Sequence, residues 1–335
     1  MDPYYLHSRC FQGPIISETI LNPASNRLTT LPIQYPGLWD LYKKQLQCNW
    51  VVQEVDLSED LEHWENILTE SERQYLLHNL AFFSAFDGIV NCQIKQNVID
   101  QIQIKEAECA YGKQFEMENV HGEMYGLLLI TYVRDLEEQN RLINSIEHIP
   151  TIRAIAQWCQ EWIDGDWTFA HRIIAFAIVE GVIFSSAFAS IFWVQTLEGD
   201  ILPGLFKSNR FIRRDENLHT LTAVEIYRLL ENKLNPEEVQ RIFSSAMAVL
   251  EPFVHASLPE RLRGMNSESM IQYVQYAADR LSVQLGYDKM YRVSNPLDYM
   301  AKIDLWCKNN FFEKENDEYA TGTGGVIKFQ LVESF

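Results

Sequence analysis

The chain has 335 residues, of which 47% are hydrophobic and 12% aromatic, so it can bury a sizeable core as one large domain or two smaller ones. Its formal net charge of −18 argues against binding to a nucleic-acid backbone, which requires clustered Lys and Arg. Its six cysteines are scattered without a Cys-x-x-Cys pair, which favours a reducing compartment, and the N-terminus lacks the pattern of a secretory signal.

Proline placement predicts the helical organisation, because a proline inside a helix removes a hydrogen bond and clashes with the preceding turn. Prolines crowd the N-terminus and are absent from residues 37–149 and 151–202. Pro150, Pro203 with Gly204, and Pro236 mark breaks or first turns of helices. We predict an all-α bundle with helices at about residues 70–100, 104–131, 151–163, 167–196, 208–231, 236–257 and 268–286.

The segment from Ala175 to Trp193 is apolar for nearly the length of a membrane span. Glu180 lies inside it, and a charge there would be costly in lipid. We therefore predict a central helix buried on all sides, with a membrane-associated enzyme as the alternative.

Six residues form two copies of one unit, in which a Glu-x-x-His pair follows a carboxylate embedded in an apolar run. They are Asp87, Glu118 and His121 in the first copy, and Glu180, Glu216 and His219 in the second. Residues i and i+3 share a helix face, so each pair could bind a metal ion. One copy is weak evidence, because such pairs occur by chance on solvated faces, but two copies indicate two metals.

Charge balance supports the same interpretation. Each uncompensated carboxylate in a dry interior costs on the order of several kcal/mol, and four would offset a typical total stability of about 5–15 kcal/mol. Two divalent ions would neutralise the four carboxylates, and carboxylate with imidazole suits iron or manganese. The sequence therefore predicts a dinuclear site in the core of the bundle.

Tyr125 shares a helix face with Glu118 and His121, one turn beyond the imidazole. Most tyrosines on such a face are ordinary core residues. Beside two metals, however, a phenol could give up an electron and a proton. Phe184, Phe188 and Ile212 are placed to shield such a radical from water.

These residues and their flanking sequences resemble the small, radical-generating subunit of class I ribonucleotide reductase. The matching segments are FFSAFDGIVN, MENVHGEMYGLL, VEGVIFSSAFASIFW, RDENLH and WVVQEVDLSED, which contain Asp87, Glu118, Glu180, Glu216 and Trp50 respectively. The resemblance runs from about Leu31 to Phe312. It implies a ferritin-like helical bundle with a di-metal carboxylate site in the core.

The resemblance also implies roles for individual residues. Asp87, Glu118 and His121 would bind one iron and Glu180, Glu216 and His219 the other, with Glu118 and Glu216 bridging and manganese possible in place of iron. Tyr125 would hold the stable radical, which would leave through His121, Asp215, Trp50 and Tyr319. Asp215 would accept a hydrogen bond from the His121 nitrogen that does not bind metal. The large subunit would then reduce ribonucleotides.

The expected organisation is an N-terminal extended segment at 1–35, a ferritin-like di-iron domain at 36–312 and a flexible docking tail at 313–335. The ending FQLVESF keeps Phe329, Leu331 and Phe335 of the family's docking peptide but departs from it at Val332 and Ser334. We expect a homodimer in the cytoplasm that binds a large subunit through this tail, with no nucleic-acid or membrane partner.

Two alternatives stay open. A stand-alone di-iron oxygenase or desaturase would use the same ligands on its own substrate, and Tyr125 and the tail argue against it. An iron-storage or purely structural helical protein is the second alternative. Storage predicts many irons per chain, whereas the six ligands predict two.

Overall fold

The computed structural model describes residues 18–304, which are largely helical and contain no strand. The predicted all-α class is confirmed. Tyr319, the tail at 313–335 and two of the cysteines, Cys10 and Cys307, lie outside the described residues. The predicted division into three segments is not tested and stays a prediction.

The α-helices of the described residues follow one another along the chain with short connections. They are α1 (Pro36–Gln47), α2 (Asp60–Asn66), α3 (Glu70–Gln93), α4 (Lys105–Tyr132), α5 (Leu136–Ile143), α6 (Ser145–His148), α7 (Pro150–Ile163), α8 (Phe169–Ile178), α9 (Phe184–Phe192), α10 (Pro203–Leu229), α11 (Pro236–Ser257) and α12 (Ser267–Gln284).

The long helices agree with the predicted ranges, and Pro150, Pro203 and Pro236 each occupy the first position of a helix. A proline is tolerated there because that N–H has no partner within the helix. The prediction missed α1, which has 12 residues, and the short helices α2, α5 and α6. Short helices carry too few turns for a clear apolar period.

Two predicted helices contain a π-helical turn, in which the hydrogen bonds span one extra residue. Ile94–Ile99 follows α3 directly, and Val179–Ile183 lies between α8 and α9. The second segment widens the backbone at Glu180. Such turns are frequent at functional sites, because they redirect one side chain without breaking the helix.

The apolar segment Phe169–Thr196 is long and apolar enough to cross a membrane, but 94% of its most apolar window is buried inside the protein. Its side chains contact other helices instead of presenting a surface to lipid. The structure therefore supports the prediction of a central buried helix over that of a membrane span.

Four helical segments pack against one another in the middle of the bundle: α3, α4, the α8–α9 segment and α10. Gly181 allows the close approach of α10, because a Cβ at this position would lie 2.9 Å from Thr220 Cγ2. This four-helix layout can direct side chains from all four segments to one central site.

A residue distant in sequence caps the first turn of α10. Asp60 is fully buried, and its carboxylate accepts hydrogen bonds from the backbone N–H groups of Gly204 and Leu205, both at 2.8 Å. The Tyr132 hydroxyl donates to it at 2.6 Å. The first N–H groups of a helix have no acceptor within it. This cap accounts for the start of α10 at Pro203 instead of the predicted residue 208.

Replacing Asp60 with alanine should lower the free energy of unfolding by about 1–3 kcal/mol, because two helix N–H groups and a phenol lose their buried acceptor. Urea unfolding of the purified full-length protein measures the loss. Asp40→Ala, which removes an exposed carboxylate from α1, is the matched control. Equal stability of the two variants would contradict the capping role.

Candidate metal centre

The structure brings the six predicted ligands together in the middle of the bundle. Asp87 comes from α3, Glu118 and His121 from α4, Glu180 from the π-helical turn, and Glu216 and His219 from α10. Each of the six residues is at most 2% exposed. The cluster is therefore a dry site, in which every charge must be balanced by another charge or by a hydrogen bond.

Glu118 and Glu216 lie between the two imidazoles. His121 Nδ1 is 3.3 Å from Glu118 Oε2 and 3.0 Å from Glu216 Oε1. His219 Nδ1 is 3.0 Å from the other oxygen of each carboxylate. Each of these glutamates thus presents one oxygen to each histidine, which is the orientation needed to bridge two cations.

Glu180 completes one half of the site. Its carboxylate and potential ligand atoms of Glu118, Glu216 and His219 all lie within 4.8 Å of one another. Gln114, one turn before Glu118 on α4, donates from Nε2 to Glu180 Oε1 at 3.1 Å and to Glu118 Oε1 at 3.2 Å. This amide therefore orients two carboxylates from different helices.

Asp87 is the one predicted ligand of the six without a hydrogen bond or ion pair to another member of the cluster among the described residues, apart from electrostatic interactions. Its charge interacts with Glu118 and His121, and its Oδ2 is buried without a hydrogen-bond partner among the described residues. Glu180 Oε2, Gln114 Oε1 and His219 Nε2 are also buried and unpartnered there. Native proteins rarely leave so many buried polar atoms unsatisfied in one place, and a bound cation would satisfy the carboxylate oxygens.

In the absence of metal, the protein raises the pKa of two of the carboxyl groups and lowers the pKa of a third. Burial and the charge of Glu118 hold the pKa of Asp87 well above its usual range, and burial and Glu216 do the same to the pKa of Glu180. Burial would also raise the pKa of Glu216, but His219, Glu180 and His121 together hold it well below its usual value. Without cations, the cluster thus retains protons.

The imidazoles compensate for part of the negative charge. Burial disfavours a charged ring, yet hydrogen bonds to Asp215 and Glu118 raise the pKa of His121 well above its usual value. The charges of Glu216 and Glu118 outweigh burial at His219 and raise its pKa to about 9. The cluster therefore attracts positive charge, and its oxygen and imidazole donors fit divalent iron or manganese.

Tyr125 is fully buried next to this cluster. Its ring stacks on Phe83, with centroids 4.6 Å apart, and its hydroxyl donates to Asn209 Oδ1 at 2.9 Å. Phe83 in turn contacts Phe184 and Phe188. Burial, with the charges of Asp87, Glu216 and Glu118, raises the pKa of Tyr125 well above its usual range, so the phenol keeps its proton.

A hydrogen-bonded connection leads from His121 towards the surface. His121 Nε2 lies 3.3 Å from Asp215 Oδ2, and Trp50 Nε1 donates to the same oxygen at 2.8 Å. Burial alone would raise the pKa of Asp215, but Arg214 and His121 hold it below its usual value. An ionised Asp215 carboxylate can therefore accept from both rings, and the role predicted for it beside His121 stays a prediction.

Three residues of the site were not predicted from the sequence: Gln114, Phe83 and Asn209. Gln114 and Phe83 each lie one turn before a ligand, Glu118 and Asp87, so helical spacing could have placed them on the correct faces. Asn209 gives no such signal, because its contact with Tyr125 joins two different helices.

Comparisons with known proteins agree with this geometry. The profile of a family described as "Ribonucleotide reductase, small chain" matches residues 27–296. The ribonucleoside-diphosphate reductase small chain of Acanthamoeba polyphaga mimivirus is 51% identical over 96% of this chain and 77% of its own length. This chain belongs to the ribonucleotide reductase small-chain family. The ribonucleoside-diphosphate reductase small subunit of Dictyostelium discoideum is 44% identical over 93% of this chain and 91% of its own length.

The solved structure of the Saccharomyces cerevisiae ribonucleotide reductase Rnr4 homodimer is also similar to this small chain. The TM-score is 0.74 at 28% identity, and the match covers 84% of this chain and 90% of that one. The predicted ferritin-like fold and the predicted reductase small chain are confirmed. The comparisons do not support the oxygenase and iron-storage alternatives.

Metal binding to this small chain should release protons. His219, with a pKa of about 9, carries a proton at neutral pH that a metal ligand must lose. Anaerobic addition of ferrous iron to the metal-free full-length protein in weak buffer should release at least one proton per chain, measured with an indicator dye. The affinity for ferrous iron should fall as the pH falls below about 9, by roughly tenfold per pH unit for each proton that the metal displaces.

His255→Gln, which changes an exposed histidine of α11, is the control and should leave the proton release unchanged. Iron binding without proton release, with an affinity independent of pH, would contradict the charge state inferred for the cluster.

Proposed function

We propose that the six-residue cluster of this small chain binds two iron ions and that Tyr125 carries the radical needed by a large subunit to reduce ribonucleotides to deoxyribonucleotides. When bound, the irons supply the one-electron oxidation of the phenol at the expense of dioxygen. The observation that carries the proposal is the position of Tyr125, a fully buried phenol beside a carboxylate and imidazole cluster.

The surroundings of Tyr125 suit a long-lived radical. Oxidation of a neutral phenol requires both an electron and a proton to leave, and the raised pKa keeps the proton on the hydroxyl oxygen until then. The stacked ring of Phe83, backed by Phe184 and Phe188, excludes water from one face. The Asn209 carbonyl fixes the direction of the hydroxyl.

The radical equivalent is proposed to leave through His121, Asp215 and Trp50. One Asp215 oxygen contacts both rings, at 3.3 Å and 2.8 Å, and this continuous contact supports the assignment. Trp50 is buried, whereas its neighbour Val51 is 46% exposed, so the connection ends close to the surface. Tyr319, outside the described residues, would continue the route to the large subunit.

The choice between iron and manganese rests on metal availability as well as on ligands, because carboxylate and imidazole donors suit both. We propose iron, with two ions per chain from the ligand count. Metal analysis of natively expressed protein tests the identity and the number together.

A homodimer is the proposed assembly, and helical glycines support it. A Cβ added at Gly88 of α3, or at Gly112 or Gly126 of α4, would meet no atom of the described residues within 4 Å. Alanine in place of a helix-interior glycine would stabilise an isolated helix by about 1 kcal/mol. Close packing of a second subunit against these helices would explain why glycine occupies these positions.

The proposed location is the cytoplasm. The four cysteines within residues 18–304 are all free thiols, as expected in a reducing compartment: Cys48, Cys92, Cys109 and Cys159. The charge of −18 is the ground on which we propose no nucleic-acid partner.

Tyr125→Phe should abolish the tyrosyl radical signal in electron paramagnetic resonance after loading with iron and oxygen, because phenylalanine has no hydroxyl to oxidise. Iron content should stay at about two per chain, since the phenol is not a ligand. Tyr111→Phe, which changes another buried tyrosine of α4, is the control and should retain the signal. A radical that survives in Tyr125→Phe would move the assignment to another residue.

Deleting residues from Val326 onward should leave the radical signal intact and abolish turnover with a large subunit, because the proposed docking peptide is lost. Deoxyribonucleotide formation and the radical signal are measured on the same preparation. Loss of the radical itself, or normal turnover without these residues, would contradict the assigned role of the tail.

A further inference from the structure

Lys113 of α4 is a buried lysine close to the proposed route. It is only 6% exposed, although lysine is almost never fully buried unless it is paired. Its ammonium lies 3.2 Å from the exposed carboxylate of Glu116, one turn later on α4. It also donates a hydrogen bond to Asn49 Oδ1 at 2.5 Å. One partner thus belongs to the same helix, and the other belongs to a distant part of the chain.

The distant partner directly precedes Trp50. Asn49 and Trp50 lie in the connection that follows α1, and neither belongs to a helix, so helical hydrogen bonds do not fix their position. Contacts from two helices hold this connection. The Arg214 guanidinium of α10 donates to the Cys48 carbonyl, and the Lys113 ammonium of α4 donates to the Asn49 side chain. The place of the indole therefore depends on side chains from α4 and α10.

The same helix also carries the ring on which the Trp50 indole stacks. Lys113, Met117 and His121 follow the spacing i, i+4 and i+8, so they form one stripe along α4. At one end of the stripe the Trp50 and His121 rings stack, with centroids 6.1 Å apart and planes inclined by 21°. At the other end, about 12 Å earlier along the helix, Lys113 binds Asn49. Two consecutive residues of the connection are thus held at two points of α4.

A lysine is not needed at this position merely to fill space. Burial of an ammonium carries a large desolvation penalty, and an apolar side chain of similar volume would avoid it. The ammonium instead supplies directional donors, and a hydrogen bond from a charged donor is shorter and stronger than a neutral one. Lys113 therefore specifies where the Asn49 amide lies, which a packed apolar side chain would leave undetermined.

We propose that Lys113 is a positioning residue for Trp50. By binding the Asn49 side chain, it fixes how the indole faces His121 and Asp215. Trp50 Nε1 donates to Asp215 Oδ2 at 2.8 Å, and the same oxygen lies 3.3 Å from His121 Nε2. Reactions between held groups lose large rate factors when one group is displaced slightly, so this geometry sets the rate of transfer. The inference rests on the proposed route through Trp50.

Lys113→Met in the iron-loaded full-length protein tests the proposal, because methionine keeps an apolar stem and removes the donors. With a large subunit, kcat for deoxyribonucleotide formation should fall about tenfold, whereas the large-subunit concentration at half-maximal rate should not change. The Tyr125 radical and the iron content should also stay unchanged, which reports that α4 and the cluster remain folded. Lys113→Arg, which keeps a charged donor, should recover most of the lost kcat.

Lys105→Met is the matched control. Lys105 forms the same kind of i, i+3 ion pair on α4, with Glu108 at 2.7 Å, and it lies at the first position of the helix. Its removal should leave kcat at the wild-type value, because an exposed ion pair of this kind contributes little. An equal loss of kcat in Lys105→Met and Lys113→Met would overturn the proposal.

A double-mutant cycle tests whether Lys113 acts through Asn49. Asn49→Ala should lower kcat in the wild type, but in Lys113→Met protein the same change should alter kcat by less than about twofold. Contributions from other contacts of Asn49 cancel in the cycle, because they are present with and without the lysine. Fully additive losses would overturn the proposal.

An unchanged kcat in Lys113→Met would also overturn it. A weaker affinity for the large subunit as the sole change would assign Lys113 to docking, and loss of the Tyr125 radical would assign it to the cluster; either result contradicts a positioning role at Trp50. A wild-type protein without a tyrosyl radical would instead contradict the proposed function, so the two failures are distinguishable.

Discussion

The burial of four carboxylates in one dry core is the constraint on which the rest of this structure depends. Asp87, Glu118, Glu180 and Glu216 come from four helical segments, so no single helix can relieve their mutual repulsion. The protein compensates with imidazoles, with the amide of Gln114 and with raised pKa values at two of the carboxyl groups. Bound cations would remove the remaining imbalance, and metal binding would thereby be coupled to the stability of the fold.

The same constraint explains the neighbourhood of the cluster. Asp215 is a further buried acid, and Arg214 and His121 hold its pKa low, so the charge that orients His121 is itself balanced. Tyr125 carries no charge because the carboxylates and burial keep its proton in place. Each buried charge between the cluster and Trp50 is thus balanced by a neighbouring group.

Helical spacing predicted the parts of the site that lie along one helix. The i, i+3 relation joins Glu118 with His121, and Tyr125 follows one turn later on the same face. It did not reveal Asn209, which reaches Tyr125 from α10, or the start of α10 at Pro203, which depends on the distant cap from Asp60. These contacts join residues far apart in the chain, and no local pattern records them.

The sequence by itself determined the all-α class, the identity of the six clustered residues and their resemblance to a reductase small chain, because ligand type and helical period are local properties. The tertiary structure decided how those residues face one another. It placed one oxygen of Glu118 and of Glu216 towards each imidazole, and it widened the helix at Glu180. Packing between helices fixes these orientations, since they depend on distances that a single segment does not set.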